Sequence, residues 1–241
     1  MINLLLLVLA LFVQGGELRH VTANHAMVYY SSRTTASTAE NYLSVVDQLC
    51  SDNSKKFKIE STGWFKVRLC AGPYEFSNLT GLDSVFSPIW RDGYLYVIAH
   101  GDLADPAYRA ALEAGVIHGI LECLRPNGAP QWLIYSAAVY ESSEFKDCTA
   151  PPVVNVSYFS DLEEKIQSAS TPAELTDLCF YLGTTGKFFD LKFGVGSMLM
   201  LVQEFQRETN FNEASNKLFH VGREQLENDW REFLASEAGA K

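Results

Sequence analysis

The first half of the chain predicts strands arranged around one amphipathic helix. Leu43, Val46 and Leu49 recur at helical spacing, which predicts a helix over residues 37–49. A turn is expected around residues 78–83. Runs rich in β-branched and aromatic residues, or alternating between apolar and polar, predict strands at residues 21–30, 57–59, 64–69 and 94–99.

The second half of the chain changes to helical periodicity. Asp105 before Pro106 predicts a capped helix that ends near residue 124, and Pro130 begins a helix that runs through residue 141. Two capping boxes, each with a Glu three residues after the hydroxyl side chain, predict helices that begin at Ser160 and Thr171. Further helices are predicted at residues 186–208, 211–219 and 224–235.

Length and composition agree with one folded α+β domain. The chain has 241 residues, of which 47% are hydrophobic and 20% charged, enough to bury a sizeable core. No internal repeat, low-complexity tract or linker divides it. We expect a mixed α/β part over residues 17–103, followed by a helical part over residues 104–241.

An uninterrupted apolar run lies near the beginning of the chain, from Leu4 to Val13. It is shorter than the roughly 20 helical residues that span a bilayer, and it fits the core of a signal peptide over residues 1–16, although no positive charge precedes it. The alternative is a buried first strand, for which the run is unusually long. No other segment resembles a membrane span. We therefore expect an exported protein: periplasmic, cell-surface or secreted.

Export permits disulfide bonds, and the chain has five cysteines, so an odd thiol is left over. Cys50 and Cys70 flank one turn-rich segment and could close it. Cys123 could pair with Cys148 or with Cys179, and the spacing does not choose between them. None of the five lies in a CxxC or CxxxC pair, which argues against a cysteine-based metal site.

The charge of the chain argues against a nucleic-acid partner. It has 19 Lys and Arg against 29 Asp and Glu, a formal net charge of −10. A phosphate backbone would be repelled, and no run of basic residues provides a local exception. The partner we expect is a peptide or a protein.

Candidate chemistry is concentrated in the two helices that a short Gly/Pro turn joins. A zinc-peptidase site needs two His four residues apart on one helix, a Glu beside the first His as general base, and a third ligand on the next helix. The first helix has Ala114, Gly115 and His118 at the corresponding spacing, and the second has Tyr135 at the position of the third ligand.

Taken together, these helices resemble the peptidase MA-like domain, a gluzincin-type zinc metallopeptidase. Its second helix carries a pattern close to P-x-W-L-x-E-G-x-A-x-Y, and its last helix a similar E-x-x-W. The chain matches the first pattern at Pro130, Trp132, Leu133, Ala138 and Tyr140, and the second at Glu227 and Trp230. The resemblance implies a zincin-like, two-lobed α+β fold.

The same resemblance implies a degenerate site. His118 corresponds to the second zinc histidine of the family, but Ala114 replaces the first, Gly115 the general base and Tyr135 the ligand glutamate. One imidazole does not hold zinc at useful affinity, so we expect neither a bound metal nor a catalytic residue. A different register, with His118, Glu122 and Glu141 as ligands, would keep zinc possible but would lack the base.

The expected function is binding without catalysis, because the zinc ligands and the general base are missing from the cleft. We expect an exported pseudopeptidase that binds a peptide or protein in the former active-site cleft, with the edge strand at residues 94–99 providing backbone hydrogen bonds. The expected cleft residues are Tyr94, Tyr96, His118, Trp132 and Tyr135. Two alternatives remain: a zinc metallopeptidase with the ligand set above, and a structural domain whose cleft is filled by Tyr135 reaching His118.

Overall fold

The computed structural model describes residues 18–59, 64–99, 102–124, 128–142, 148, 150–151, 153–205, 207 and 210–239. The predicted signal peptide at residues 1–16 lies outside the described residues. Among the residues that are described, no helix combines the length and hydropathy needed to cross a membrane.

A five-stranded mixed sheet forms the β part of the fold. Its strands are β1 (Arg19–Thr22), β2 (Ala26–Tyr30), β3 (Phe65–Cys70), β4 (Ile89–Arg91) and β5 (Tyr94–Ile98), in the spatial order β1-β2-β3-β5-β4. The three central strands β2, β3 and β5 are parallel, whereas β1 and β4 are antiparallel edge strands. The fold is therefore α+β, as predicted.

Most of the remaining described chain is helical. The helices are α1 (Ala36–Phe57), α2 (Pro73–Thr80), α3 (Pro106–Cys123), α4 (Gln131–Glu141), α5 (Phe159–Ser168), α6 (Pro172–Phe193), α7 (Ser197–Glu204), α8 (Phe211–Phe219) and α9 (Arg223–Gly239), with a 3₁₀ turn at Ser84–Phe86. On one face of the sheet, α1 packs against β1 and β2, and α3 against β4 and β5. On the opposite face, α2 covers the ends of β3 and β5.

One hydrophobic core joins the two predicted parts of the chain. It includes Val67 and Leu95 of the sheet, Val116 of α3, Trp132 of α4 and Trp230 of α9, all buried. Strands and helices thus stabilise each other through a shared apolar interior, where each fully buried large side chain contributes about 1.5–3 kcal/mol.

Several predicted helix beginnings are confirmed by their caps. Asp105 accepts a hydrogen bond from the Ala107 N–H at 3.0 Å at the start of α3. The Thr171 hydroxyl accepts one from the Glu174 N–H at 3.3 Å at the start of α6. These side chains satisfy backbone donors that have no partner within the first helical turn, which explains why the sequence signals were reliable.

The strand predicted at residues 21–30 is two antiparallel strands, β1 and β2, joined by residues 23–25. Four further predicted elements differ from the structure. The strand at residues 57–59 is absent because α1 continues to Phe57 and ends at Lys58 in a left-handed conformation. The turn predicted at residues 78–83 begins later than expected, because α2 continues to Thr80 and the chain bends only from Gly81, which has a left-handed conformation. The helix predicted at residues 186–208 is divided into α6 and α7, because Gly194 (φ +100°) and Gly196 (φ +84°) adopt backbone angles that no helix accommodates.

The fourth error is the capping box at Ser160. Helix α5 begins one residue earlier, and Asp161 accepts the hydrogen bond from the Tyr158 N–H at 3.0 Å. Glu163, the expected partner of Ser160, bonds instead to the beginning of α4. A long-range interaction has replaced the local one that the spacing suggested.

Candidate functional site

Two glycines bring helix α3 unusually close to the sheet. A Cβ atom on Gly115 would lie 2.7 Å from Leu95 Cδ1 of β5, and one on Gly119 would lie 2.5 Å from both Phe65 Cε2 and Trp90 Cε3. Any larger residue would force the helix away or displace these side chains. The glycines therefore fix the position of His118, which lies between them on the same helix.

Helix α4 is joined to α5 by a carboxylate at its beginning. Glu163 of α5 accepts a hydrogen bond from the Trp132 N–H at 3.0 Å. The N-cap residue Pro130 has no side-chain acceptor, so Glu163 provides the acceptor that this backbone N–H needs. Helix α5 is held in turn by Glu227 of α9, which accepts from the Phe159 N–H at 3.1 Å. These two carboxylates position the helix that carries Tyr135.

His118 and Tyr135 contact each other directly. Their ring centroids are 4.2 Å apart and the planes are inclined at 63°, an edge-to-face arrangement. The Nε2 atom of His118, a residue only 6% exposed, lies 3.6 Å from Glu122 Oε1. Burial, with the carboxylates of Glu122 and Glu163, raises the pKa of Tyr135 to about 12. The phenol is therefore protonated throughout the physiological range.

A cavity of about 440 Å³ opens beside this pair of rings. It is lined by residues 85–90, by Ala107, Ala111, Ala114 and His118 of α3, by Tyr135 and Val139 of α4, and by Leu175 and Leu178 of α6. Most of these side chains are small or apolar. The cavity can therefore accept an apolar group, with the His118 and Tyr135 rings at one wall.

The edge strand β4 presents free backbone groups at the same place. It is joined to β5 by a two-residue turn at Asp92 (φ +50°) and Gly93 (φ +79°), as in a type I′ hairpin. In such a hairpin the Arg91–Tyr94 pair next to the turn is hydrogen-bonded, and the next pair, Trp90–Leu95, is not. The N–H and C=O of Trp90 thus point away from β5, and neither has a hydrogen-bond partner among the described residues.

The structure brings only some of the predicted cleft residues together. His118 and Tyr135 line the cavity, as does Ala114. Tyr94 and Tyr96 do not, because they alternate with Leu95 and therefore point to the opposite face of the sheet.

Two further expectations about the cleft are corrected. Trp132 is 4% exposed and stacks on Phe159 with centroids 4.3 Å apart, so it belongs to the core and not to the cleft. The strand at residues 94–99 is confirmed as β5, but it lies inside the sheet, and the edge strand is β4. The Asp92-Gly93 dipeptide, a strong hairpin signal, could have revealed β4 in the sequence.

The three residues of the alternative ligand set, His118, Glu122 and Glu141, do not come together around one point. Glu141 ends α4, where its carboxylate Oε2 lies 2.7 Å from Lys56 Nζ of α1, while Glu122 approaches His118 within its own helix. In the described parts of the chain, no group of three or more His, Cys, Asp or Glu side chains could hold a metal ion. His118 and Glu122 together supply two potential donors, fewer than the three protein ligands of a catalytic zinc site.

The cysteines pair differently from the three pairings considered. Cys148 is bonded to Cys179 of α6, and Cys50, Cys70 and Cys123 are free thiols. Cys50 belongs to the main core, whereas Cys70 packs with Phe76 beneath α2 on the other side of the sheet, so these two cannot meet. The Cys148–Cys179 bond lies at the wall of the cavity and is compatible with a secreted protein.

No protein-family model, curated protein or solved structure matches the chain. The function must therefore be argued from the cavity, the edge strand and the ring pair themselves.

Proposed function

We propose that this chain is an exported, catalytically inactive, peptidase MA-like domain that binds an extended peptide segment between β4 and α3. Its ancestor would be a zinc peptidase of the gluzincin type with a zincin-like, two-lobed fold. The observation that carries the proposal is the position of the cavity. It lies between an edge strand with free backbone groups and the helix whose His118 corresponds to a family zinc ligand.

The edge strand supports binding of an extended chain. A peptide residue opposite Trp90 can donate to its C=O and accept from its N–H, which adds a sixth strand to the sheet. These are main-chain bonds, so they require no particular side chain on the ligand. They also survive the loss of every catalytic residue.

The cavity supports a preference for apolar side chains. Successive peptide side chains point to opposite faces, so a peptide on β4 directs alternate residues toward α3. There Ala107, Ala111 and Ala114 leave space, and the wall formed by Leu175 and Leu178 is apolar. Burial of one aliphatic or aromatic side chain would contribute about 1.5–3 kcal/mol to binding.

The absence of catalysis is inferred from the residues around His118. Tyr135, where the family has its ligand glutamate, carries a neutral phenol because its pKa is raised to about 12. Gly115, where the family has its general base, has no side chain, and a Cβ there would lie 2.7 Å from Leu95 Cδ1, so this methyl would have to move. Neither position offers a group that could activate water.

The experiment begins with an array of unstructured synthetic peptides probed with the folded chain. A peptide that binds is then resynthesised with single N-methyl groups along its backbone. Addition to β4 predicts that N-methylation of the peptide residue opposite Trp90 abolishes binding, whereas N-methylation of either neighbour does not, because the neighbouring N–H groups point away from the strand.

Two matched variants locate the site. Ala111→Arg places a long charged side chain in the cavity and should weaken peptide binding by at least about tenfold. Ala235→Arg makes the same change on the exposed surface of α9 and should have no effect. No peptide binding, or equal effects of the two variants, would contradict the proposal. Purified protein that retains one equivalent of zinc and cleaves peptides until a chelator is added would establish a peptidase instead.

A further inference from the structure

The outer face of the sheet, opposite α3, carries a continuous row of rings. His20 of β1, Tyr29 of β2, and Tyr94 and Tyr96 of β5 lie on this face. The centroid separations are 5.9 Å for His20–Tyr29, 5.8 Å for Tyr29–Tyr94 and 6.2 Å for Tyr94–Tyr96. Tyr29 and Tyr94 meet across β3, which separates their strands, so their rings lie along the sheet.

This ring row is only partly covered. Helix α2 packs over the ends of β3 and β5 that carry Cys70 and Ile98, and it shields part of Tyr96. His20 is exposed, and Tyr29 and Tyr94 are half-buried. The rings are inclined to each other by 46° to 67°, so they do not form the flat platform that stacking of planar ligands requires.

The positive charges on the same face are not equivalent. Arg68 Nη2 lies 3.1 Å from Glu75 Oε1, and Arg91 Nε lies 3.5 Å from Asp92 Oδ2, so each already has a carboxylate. Lys66, exposed on β3, has its ammonium 5.6 Å from the centre of the Tyr94 ring and has no carboxylate partner among the described residues. Within the described part of the chain, one cation at the centre of the row therefore lacks an anion.

We propose that this ring row, with Lys66 at its centre, binds an acidic segment of a partner protein. Tyrosine is among the side chains that dominate the strongest positions of protein interfaces, because it combines apolar area with a hydrogen-bonding hydroxyl, and Lys66 adds a charge that can select an acidic partner. A carboxylate is the group that Lys66 lacks, and apolar or aromatic neighbours of that carboxylate can pack on Tyr29 and Tyr94. The remaining surface belongs to a chain of net charge −10, so an acidic partner is repelled elsewhere and is directed to this face.

The proposed surface is separate from the peptide site at β4 and α3. Leu95, between Tyr94 and Tyr96, points toward α3, so the two sites lie on opposite faces of the sheet. Either proposal can fail without the other. Ala111→Arg, which fills the cavity, should leave binding at the ring row unchanged.

Biolayer interferometry with a random copolymer of glutamate and tyrosine tests the proposal. The wild-type chain should bind this copolymer, and the affinity should fall as salt rises, because screening weakens the attraction between charges. Lys66→Glu should weaken binding by at least about tenfold. Lys55→Glu, the same change at an exposed lysine on α1, is the matched control and should change it less than about twofold.

Three results would overturn the proposal. The first is no binding of the copolymer by the wild-type chain. The second is an equal loss of affinity in Lys66→Glu and Lys55→Glu, which would indicate a general charge effect. The third is equally tight, equally Lys66-dependent binding of dextran sulfate, which would indicate a site for polyanions of any kind instead of an acidic protein segment.

Discussion

The imidazole ring of His118 meets the phenol ring of Tyr135 edge to face, with centroids 4.2 Å apart. The two residues come from neighbouring helices, α3 and α4. Gly115 and Gly119 set α3 close to the sheet, and the Glu163 cap joins α4 to α5. In a zinc peptidase of the proposed ancestry, the corresponding pair would share a metal ion. Here the two rings make an aromatic contact. A restored ligand set tests whether positions 114, 118 and 135 lie where the zinc ligands of such a peptidase would lie.

Restoring two ligands should create a zinc site. Ala114→His combined with Tyr135→Glu places two imidazoles four residues apart on α3 and a carboxylate across from them on α4. Three such ligands hold zinc at tetrahedral geometry, so we expect about one equivalent of zinc to remain after dialysis. Metal analysis by mass spectrometry measures it.

The control moves the new histidine by one turn. In Ala111→His with Tyr135→Glu, the two imidazoles are seven residues apart, about 10 Å along the helix, and cannot share one ion. Zinc retention in both double variants, or in neither, would contradict the assignment of His118, Ala114 and Tyr135 to the ligand positions of the family.

Glu227 should contribute to stability by holding α5 and, through it, α4. Its Oε1 accepts from the Phe159 N–H at 3.1 Å and from Arg223 Nε at 3.0 Å, and the residue is 7% exposed. Glu227→Ala leaves a buried N–H without a partner, so the free energy of unfolding should fall by about 1–3 kcal/mol. Urea denaturation measures the change. Glu224→Ala, at an exposed position on the same helix, should change stability by less than about 0.5 kcal/mol.

The Cys148–Cys179 bond should stabilise the folded chain by restricting the unfolded one. It connects residues 31 positions apart, and closing a loop of that length is worth about 3–4 kcal/mol in the chain-entropy description. The Cys148→Ala/Cys179→Ala variant should therefore unfold at a lower urea concentration. A reductant should lower the stability of the wild-type chain and leave the variant unchanged; sensitivity of the variant to reductant would show that another disulfide is present.

The free thiols should differ in reactivity. Cys123 is exposed, whereas Cys50 and Cys70 are buried, and burial raises the pKa of Cys70 to about 12. In the native chain only Cys123 should react with iodoacetamide. Because burial and the neighbouring Glu122 raise the pKa of its thiol, the rate should still be rising with pH above about 8.5.

Counting the thiols gives a direct check on the pairing. Cys123→Ser should abolish labelling of the native chain, and unfolding without reductant should expose three reactive thiols in the wild type. A single reactive thiol after unfolding would mean that a second pair of cysteines has been oxidised. Five would mean that the Cys148–Cys179 bond does not form.

The elements that were predicted correctly depend on local interactions. Asp105, Pro106 and Thr171 act within one helical turn of their own position, so a short window of sequence contains the whole interaction. The alternation in β3 and the run in β5 reflect which face each side chain occupies, and this is also visible in a few residues.

Several interactions that were missed or misread depend on distant partners. Glu163 looked like a local cap for α5, but its carboxylate bonds to α4, 31 residues earlier. Glu227 and Trp230 looked like a family pattern at the end of the chain. Glu227 caps Phe159, and Trp230 Nε1 donates to Thr185 Oγ1 at 3.1 Å, so both join segments that are remote in sequence.

The candidate site was predictable to the extent that it lies on one pair of helices. The positions of His118 and Tyr135 followed from helical spacing and from the resemblance. The edge strand was misplaced because the order of strands in a sheet is set by pairing, and residues 94–99 pair on both sides. The wall supplied by α6 comes from a later segment of the same helical part, remote in sequence from His118, and left no local signal.

The close approach of Gly115 to Leu95 has an evolutionary consequence. If the domain descends from an active peptidase, the leucine methyl now occupies the volume into which a side chain at position 115 must enter, with only 2.7 Å left for its first carbon. A single mutation to glutamate would therefore meet a steric penalty before it could gain any catalytic benefit. The Leu95 side chain would have to rotate away from position 115, so regaining a general base there requires repacking between α3 and β5.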